Sequence, residues 1–81
     1  MNVQLSRTAL AALGTAPPPV QKAFIKQLNH LVRDPNHPSL HTKKYNESAG
    51  RWQARINDDW RFYFVIKGDS YSITEIIPHP K

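Results

Sequence analysis

The chain has no cysteine among its 81 residues. Disulfides and thiolate zinc sites are therefore excluded, and nothing points to an oxidising compartment. The histidines His30, His37, His41 and His79 lack the regular ligand spacing of a metal site, so neither a metal nor a cofactor is expected. No apolar run approaches the roughly 18 residues of a membrane-spanning helix. The N-terminus lacks a basic stretch followed by an apolar one, so no secretory signal is read and a soluble, cytoplasmic protein is expected. There is no repeat and no low-complexity tract. A chain of 81 residues holds one domain, read as 1–81.

Acidic residues are also scarce. Six Asp and Glu stand against eleven Lys and Arg, a net charge of +5. On so small a body this is a strong positive field, suited to nucleic acid, an acidic protein partner, or both. Ordinary solubility is the plainer explanation. The charge is unevenly placed, however: Lys43, Lys44, Arg51, Arg55 and Arg61 fall in one short stretch. Hydrophobic residues make up 40% of the chain, enough for a small core that leans on its aromatics.

The order of elements follows from punctuation and periodicity. Asn2 to Leu5 can form a short edge strand. Ser6 is a suitable N-cap for a brief helix through Leu13, with Gly14 as its terminator. Proline is tolerated in the first turn of a helix, so a second helix starts near Pro18 or Pro19 and runs to about Arg33. Val20, Phe24, Leu28, Leu31 and Val32 form its apolar stripe, with Lys22, Lys26 and Gln27 off the centre. Asp34-Pro35 ends it. Asn36 to Leu40 reads as a loop, His41 to Tyr45 as a strand, and Glu47 to Gly50 as a turn. Trp52 to Ile56 and Trp60 to Lys67 form a hairpin about a tight Asn-Asp turn. Gly68-Asp69 turns the chain into a last strand, Tyr71 to Ile77, and Pro78-His79-Pro80-Lys81 closes it. The fold class is α+β: two N-terminal helices on one face of a small antiparallel sheet, in the order β-α-α-β-β-β-β. The other face stays partly open and is the natural working surface.

Alternation puts Trp52, Ala54, Ile56, Trp60, Phe62, Phe64 and Ile66 toward the helices. Arg51, Gln53, Arg55, Arg61, Tyr63 and Val65 face the other way, joined by Lys43 or Lys44 from the neighbouring strand. Each arginine can instead make a cross-strand ion pair, since Asp58 and Asp59 lie close in sequence. Guanidinium groups set between large rings suit a polyanion with stackable bases, RNA above all. Cleaving RNA by internal transfer needs no metal. The 2′-hydroxyl loses a proton, the phosphorane is neutralised, and the leaving 5′-oxygen gains a proton. Histidine carries protons near neutral pH, and arginine and lysine supply fixed positive charge. His79 is the candidate proton carrier and His41 a second one. Arg55 and Arg61 can hold the scissile phosphate, and Asp59 can act as a base or orient another group. Lys43 and Lys44 can grip adjacent phosphates. Arg51, Trp60, Tyr63 and Lys81 complete the candidate RNA-binding set. His30 and His37 read as structural or surface residues, and Trp60 has the alternative of a plain core residue.

Four blocks, in order, resemble the RelE/ParE superfamily of toxins from toxin–antitoxin systems. They are Asp34-Pro35-Asn36-His37-Pro38-Ser39-Leu40, Lys43-Lys44-Tyr45, the hairpin Trp52 to Phe64, and Ile76-Ile77-Pro78-His79-Pro80-Lys81. The hairpin resembles the block of HigB-type toxins, while Asp59-Trp60 and the late His79 are similar to the YafQ branch. The resemblance implies a compact sheet with two N-terminal helices and a cognate antitoxin that occludes the active face. For most branches it implies an endoribonuclease acting on mRNA at the ribosome, with rRNA contacts. Arg55 falls where relatives place a catalytic or phosphate-binding group. Asp59 and Trp60 match the Asp-Trp pair, Arg61 the arginine after it, His79 the late histidine to within one position, and Lys43-Lys44 the lysines ahead of the hairpin. The arginine-rich tail and late tyrosine of RelE are absent. A ParE-type gyrase inhibitor shares this fold without the ribonuclease residues, and a member that only binds an antitoxin is a further alternative.

Overall fold

A computed structural model describes residues 2–46, 48 and 50–79. The elements are β1 (Asn2–Leu5), α1 (Arg7–Thr15), α2 (Pro18–Arg33), a 3₁₀ turn (Pro38–Leu40), β2 (Lys43–Asn46), β3 (Arg51–Arg55), β4 (Trp60–Lys67) and β5 (Ser70–Pro78). Of the turn expected at Glu47 to Gly50, Glu47 and Ala49 lie outside the described residues, as do Pro80 and Lys81 of the tail.

Each helix begins as its sequence dictates. The Ser6 hydroxyl accepts from the Ala9 backbone N–H at 3.0 Å, which caps α1. The same hydroxyl donates to the Thr74 carbonyl at 2.9 Å, so the cap also ties α1 to β5. Gly14 does not end this helix; it lies inside it, and α1 runs on to Thr15. The stop comes instead from the prolines, which force Ala16 (ψ 150°) and Pro17 (ψ 146°) to be extended. Pro18 opens α2, and Asp34, extended before Pro35, closes it.

The sheet has the order β1-β5-β4-β3-β2. From β5 to β2 it is antiparallel, as expected. At the far edge β1 runs parallel to β5, so the sheet is mixed. The β4–β5 register shifts between Tyr63 and Phe64. Thr74 is the extra residue, and its hydroxyl donates to the Tyr63 carbonyl at 3.3 Å. The bulge lets Ile73 and Ile76, three positions apart, both face the core.

The core lies between the helices and one sheet face. Ala9, Val20, Phe24 and Leu31 meet Ala54, Phe62, Phe64, Tyr71, Ile73 and Ile76. Phe24 stands edge-on to Phe62 with ring centres 5.4 Å apart. The inward stripe of α2 differs from the expected one at two places. Val32 is 39% exposed, and Gln27 is buried in its stead. Gln27 Nε2 donates to the Ser39 carbonyl at 3.0 Å and to the Arg55 carbonyl at 2.8 Å. Its Oε1 accepts from the Ser39 hydroxyl at 3.2 Å. An amide fits here because the helix faces the ends of β3 and the 3₁₀ turn, where carbonyls lack sheet partners. Ile66, expected to face the helices, is 48% exposed near the end of β4.

Candidate functional site

The working face is built by cross-strand pairing. Gln53 pairs with Tyr63, Arg55 with Arg61, and Lys43 with Gln53. Lys43, Gln53, Arg55 and Arg61 therefore share the face turned away from the helices. They line an open groove of about 440 Å³, with His41, Thr42 and His79 forming the rest of its wall. Five of the residues singled out in the sequence, His41, Lys43, Arg55, Arg61 and His79, are thus brought together.

Local hydrogen bonds hold these groups in place. The His79 backbone N–H donates to the Asp59 carbonyl at 2.7 Å, which fixes the residue after β5 beside the β3–β4 loop. His41 does not belong to β2 but precedes it, in the left-handed conformation (φ 48°, ψ 44°). That conformation costs a residue with a Cβ about 1 kcal/mol or more. It is held by the His41 N–H on the Pro38 carbonyl (3.3 Å) and by the Thr42 hydroxyl on the Pro35 carbonyl (3.0 Å).

Both arginines are anchored to the loop 56–59. Arg55 makes an ion pair with Asp58, as the plainer reading of the sequence allowed. The Arg61 guanidinium donates to the Asn57 carbonyl at 2.6 Å and to the Trp60 carbonyl at 2.9 Å. Each guanidinium carries five N–H donors, so these bonds orient the group and leave donors for an anion. The loop is longer than a tight two-residue turn. It closes through Ile56 N–H on the Trp60 carbonyl (3.0 Å) and Asp59 N–H on Asn57 Oδ1 (2.8 Å).

The remaining candidates sit elsewhere. Asp59 meets His79 through its backbone, and its side chain does not line the groove. Lys44 pairs with Trp52 and lies on the opposite face from Lys43, its Nζ 5.5 Å from the Trp52 ring centre. Trp60 packs against the core, the alternative noted for it. Tyr63 is on the open face but only 7% exposed. Tyr45 stands edge-on to it at 4.9 Å, Arg51 covers it at 6.0 Å, and its hydroxyl accepts from Gln53 Nε2 at 3.0 Å. Covered in this way, it does not line the groove and has little ring left for a base. Lys81 lies outside the described residues. Sequence reasoning missed Gln53, whose place between Arg51 and Arg55 on the alternating strand was the available signal. It also missed Tyr45, the exposed ring of this face at 57%.

Among the described residues no cluster of side chains could hold a metal ion, and no helix is long and apolar enough to cross a membrane.

No protein-family profile matches the chain, and no curated protein matches it. Solved structures do. The YoeB/ParE toxin from Agrobacterium tumefaciens superposes with a TM-score of 0.81 at 14% identity, covering 99% of this chain and 100% of that one. RelE in the archaeal RelE–RelB complex from Pyrococcus horikoshii gives 0.79 at 17% identity, over 95% and 92% of the two chains. The toxin–antitoxin complex RelBE2 from Mycobacterium tuberculosis gives 0.74 at 22% identity, over 96% of each. This chain has the RelE/ParE-toxin fold.

Proposed function

We propose that this chain, built on the RelE/ParE-toxin fold, is the toxin of a toxin–antitoxin pair and an endoribonuclease that cuts mRNA on the ribosome. The observation that carries the reading is the groove in which Lys43, Arg55, Arg61, His41 and His79 converge on the open face. Three cationic side chains and two imidazoles around one groove are what internal transfer at a phosphodiester requires. One imidazole takes the 2′-hydroxyl proton. The 2′-oxygen attacks phosphorus, the bond to the 5′-oxygen breaks, and that oxygen takes a proton from the other imidazole. The products are a 2′,3′-cyclic phosphate and a 5′-hydroxyl. Arg55 and Arg61 neutralise the phosphorane, and Lys43 grips the adjacent phosphate. Asp59 positions His79 through its carbonyl. Antitoxin binding over this face would block all of these steps, which is the sense in which the RelB partner of the archaeal neighbour supports an antitoxin for this chain.

The test is transcript mapping after a pulse of expression, wild type beside His79→Ala and Arg61→Ala. Wild type should stop growth and leave cuts in ribosome-bound mRNA, and the variants should do neither. Undiminished cutting by both variants would overturn the mechanism.

A second reading has one observation in its favour. Asp58 and the loop carbonyls already engage both arginines, as expected of charges serving structure. A gyrase inhibitor, or a member that binds only an antitoxin, would keep the fold without using the groove. Intact transcripts together with loss of supercoiling by gyrase would select the inhibitor.

A further inference from the structure

Arg55 borders a second cleft on the helix side of the β3–β4 loop. This cleft has a volume of about 420 Å³, and Lys26, His30, His37, Ser39 and Asn57 contribute to its lining. His30 of α2 and His37 of the following loop stack across it, ring centres 3.9 Å apart and planes at 18°. His37 is held by the Ser39 N–H, which donates to its Nδ1 at 3.2 Å, with the Ser39 hydroxyl 2.8 Å from the same nitrogen. The pair is thus built into the network that Gln27 anchors. Beyond it the surface stays basic. Lys22, Lys26, His30 and Arg33 recur on one side of α2 and border a further shallow hollow. The helix has no acidic residue from Pro18 to Arg33.

We propose that this second cleft is a subsite for single-stranded RNA, holding the part of the strand that continues past the groove. The inference rests on the reading above, since it takes the groove to hold the cut phosphate. Arg55 borders both clefts, so one strand can run from the groove past this residue into the second cleft. Lys26 supplies the next cation, and Lys22 and Arg33 extend the track. The half-buried His30 leaves part of its ring open, a surface on which a base can stack. Asn57 adds a polar group at the cleft wall. An acidic peptide would use the cations but has no planar base to stack on the imidazole pair, which favours RNA.

The test uses the whole chain and fully 2′-O-methylated oligoribonucleotides, which bind without being cut. Affinities of a dinucleotide and a decanucleotide are measured by fluorescence anisotropy at several salt concentrations. The double variant Lys26→Ala/His30→Ala should weaken the decanucleotide about tenfold and leave the dinucleotide unchanged. Its salt slope should fall by about 0.7 for each phosphate no longer neutralised. Lys26→Glu alone, a change at an exposed helix position, should act in the same direction. Equal decanucleotide affinity in wild type and both variants would overturn the subsite, even if Arg61→Ala weakened both ligands and so upheld the groove. Weaker binding in the cleft variants with no effect of Arg61→Ala would uphold the subsite and count against the groove. Displacement of the decanucleotide by polyglutamate at equal charge would overturn RNA as the occupant in favour of an acidic protein segment.

Discussion

Replacing Gln27 by leucine separates packing from polar satisfaction where α2 meets the end of β3 and the 3₁₀ turn. The two side chains are close in size, so the change leaves no large cavity. It removes three hydrogen bonds: two to the Ser39 and Arg55 carbonyls and one from the Ser39 hydroxyl. Gln27 is 5% exposed, so water reaches its partners poorly once the amide is gone. Each buried group left without a partner costs about 1–3 kcal/mol, against about 1 kcal/mol regained from the more apolar side chain. Two carbonyls are orphaned, while the Ser39 hydroxyl keeps its bond with His37 Nδ1, so the expected loss is about 1–5 kcal/mol. A chain of this size has only about 4–12 kcal/mol in all, so the melting midpoint should fall by roughly 5–40 °C. Urea titration followed by far-UV circular dichroism measures the loss directly, with Lys26→Ala as an exposed control within about 0.5 kcal/mol of wild type. If Gln27→Leu unfolds with the wild-type midpoint and slope, the amide does not secure β3 to the helix and the reasoning fails.

Phe24→Ala should cost about 3–5 kcal/mol and leave little folded protein at physiological temperature, because Phe24 is fully buried against Phe62; thermal melting checks this. Asp58→Asn removes an exposed partner of Arg55, so stability should change by less than about 1 kcal/mol while affinity for a 2′-O-methylated oligoribonucleotide rises, as anisotropy would show. The His30 imidazole is held below its ordinary value by partial desolvation, and then by repulsion from His37, Lys26 and Arg33. The unfolded chain therefore binds the proton more readily, so His30 costs no stability above about pH 6.5 and destabilises the fold as pH falls below it. The melting temperature of His30→Gln should depend less on pH across that range than that of wild type, and an identical dependence would refute the assignment.

What the sequence revealed and what it hid divide along the range of the interactions involved. The limits of α2 were legible because prolines act on their immediate neighbours. The facing of the hairpin was legible because strand alternation is local, and it put Arg55 and Arg61 on one face; their direct pairing needed the longer loop that the structure shows. Gln27 could not be read as an inward residue, since only the carbonyls of Ser39 and Arg55, distant in sequence, make an amide welcome there. The bulge at Thr74 broke the alternation that would have put Ile77 rather than Ile76 in the core. The parallel pairing of β1 depends on where two helices return the chain, which no short pattern encodes. Within the groove, His79 was legible as a residue placed just after a strand. The left-handed turn at His41 was not, because its cause lies in bonds to Pro35 and Pro38. Tyr63 faced the expected way, but its burial under Arg51 and beside Tyr45 depended on how long side chains lie over the sheet.

The edge strand β1 has a consequence for how the molecule comes into being. It precedes the other strands of the sheet in sequence, yet its neighbour is β5, the last strand of the meander. A nascent chain therefore carries β1 unpaired until β5 has been made, and His79, which follows β5, takes its place only once β5 has paired with β4. The last pairing therefore joins the two most distant strands of the sequence, a non-local closure of the kind that slows folding.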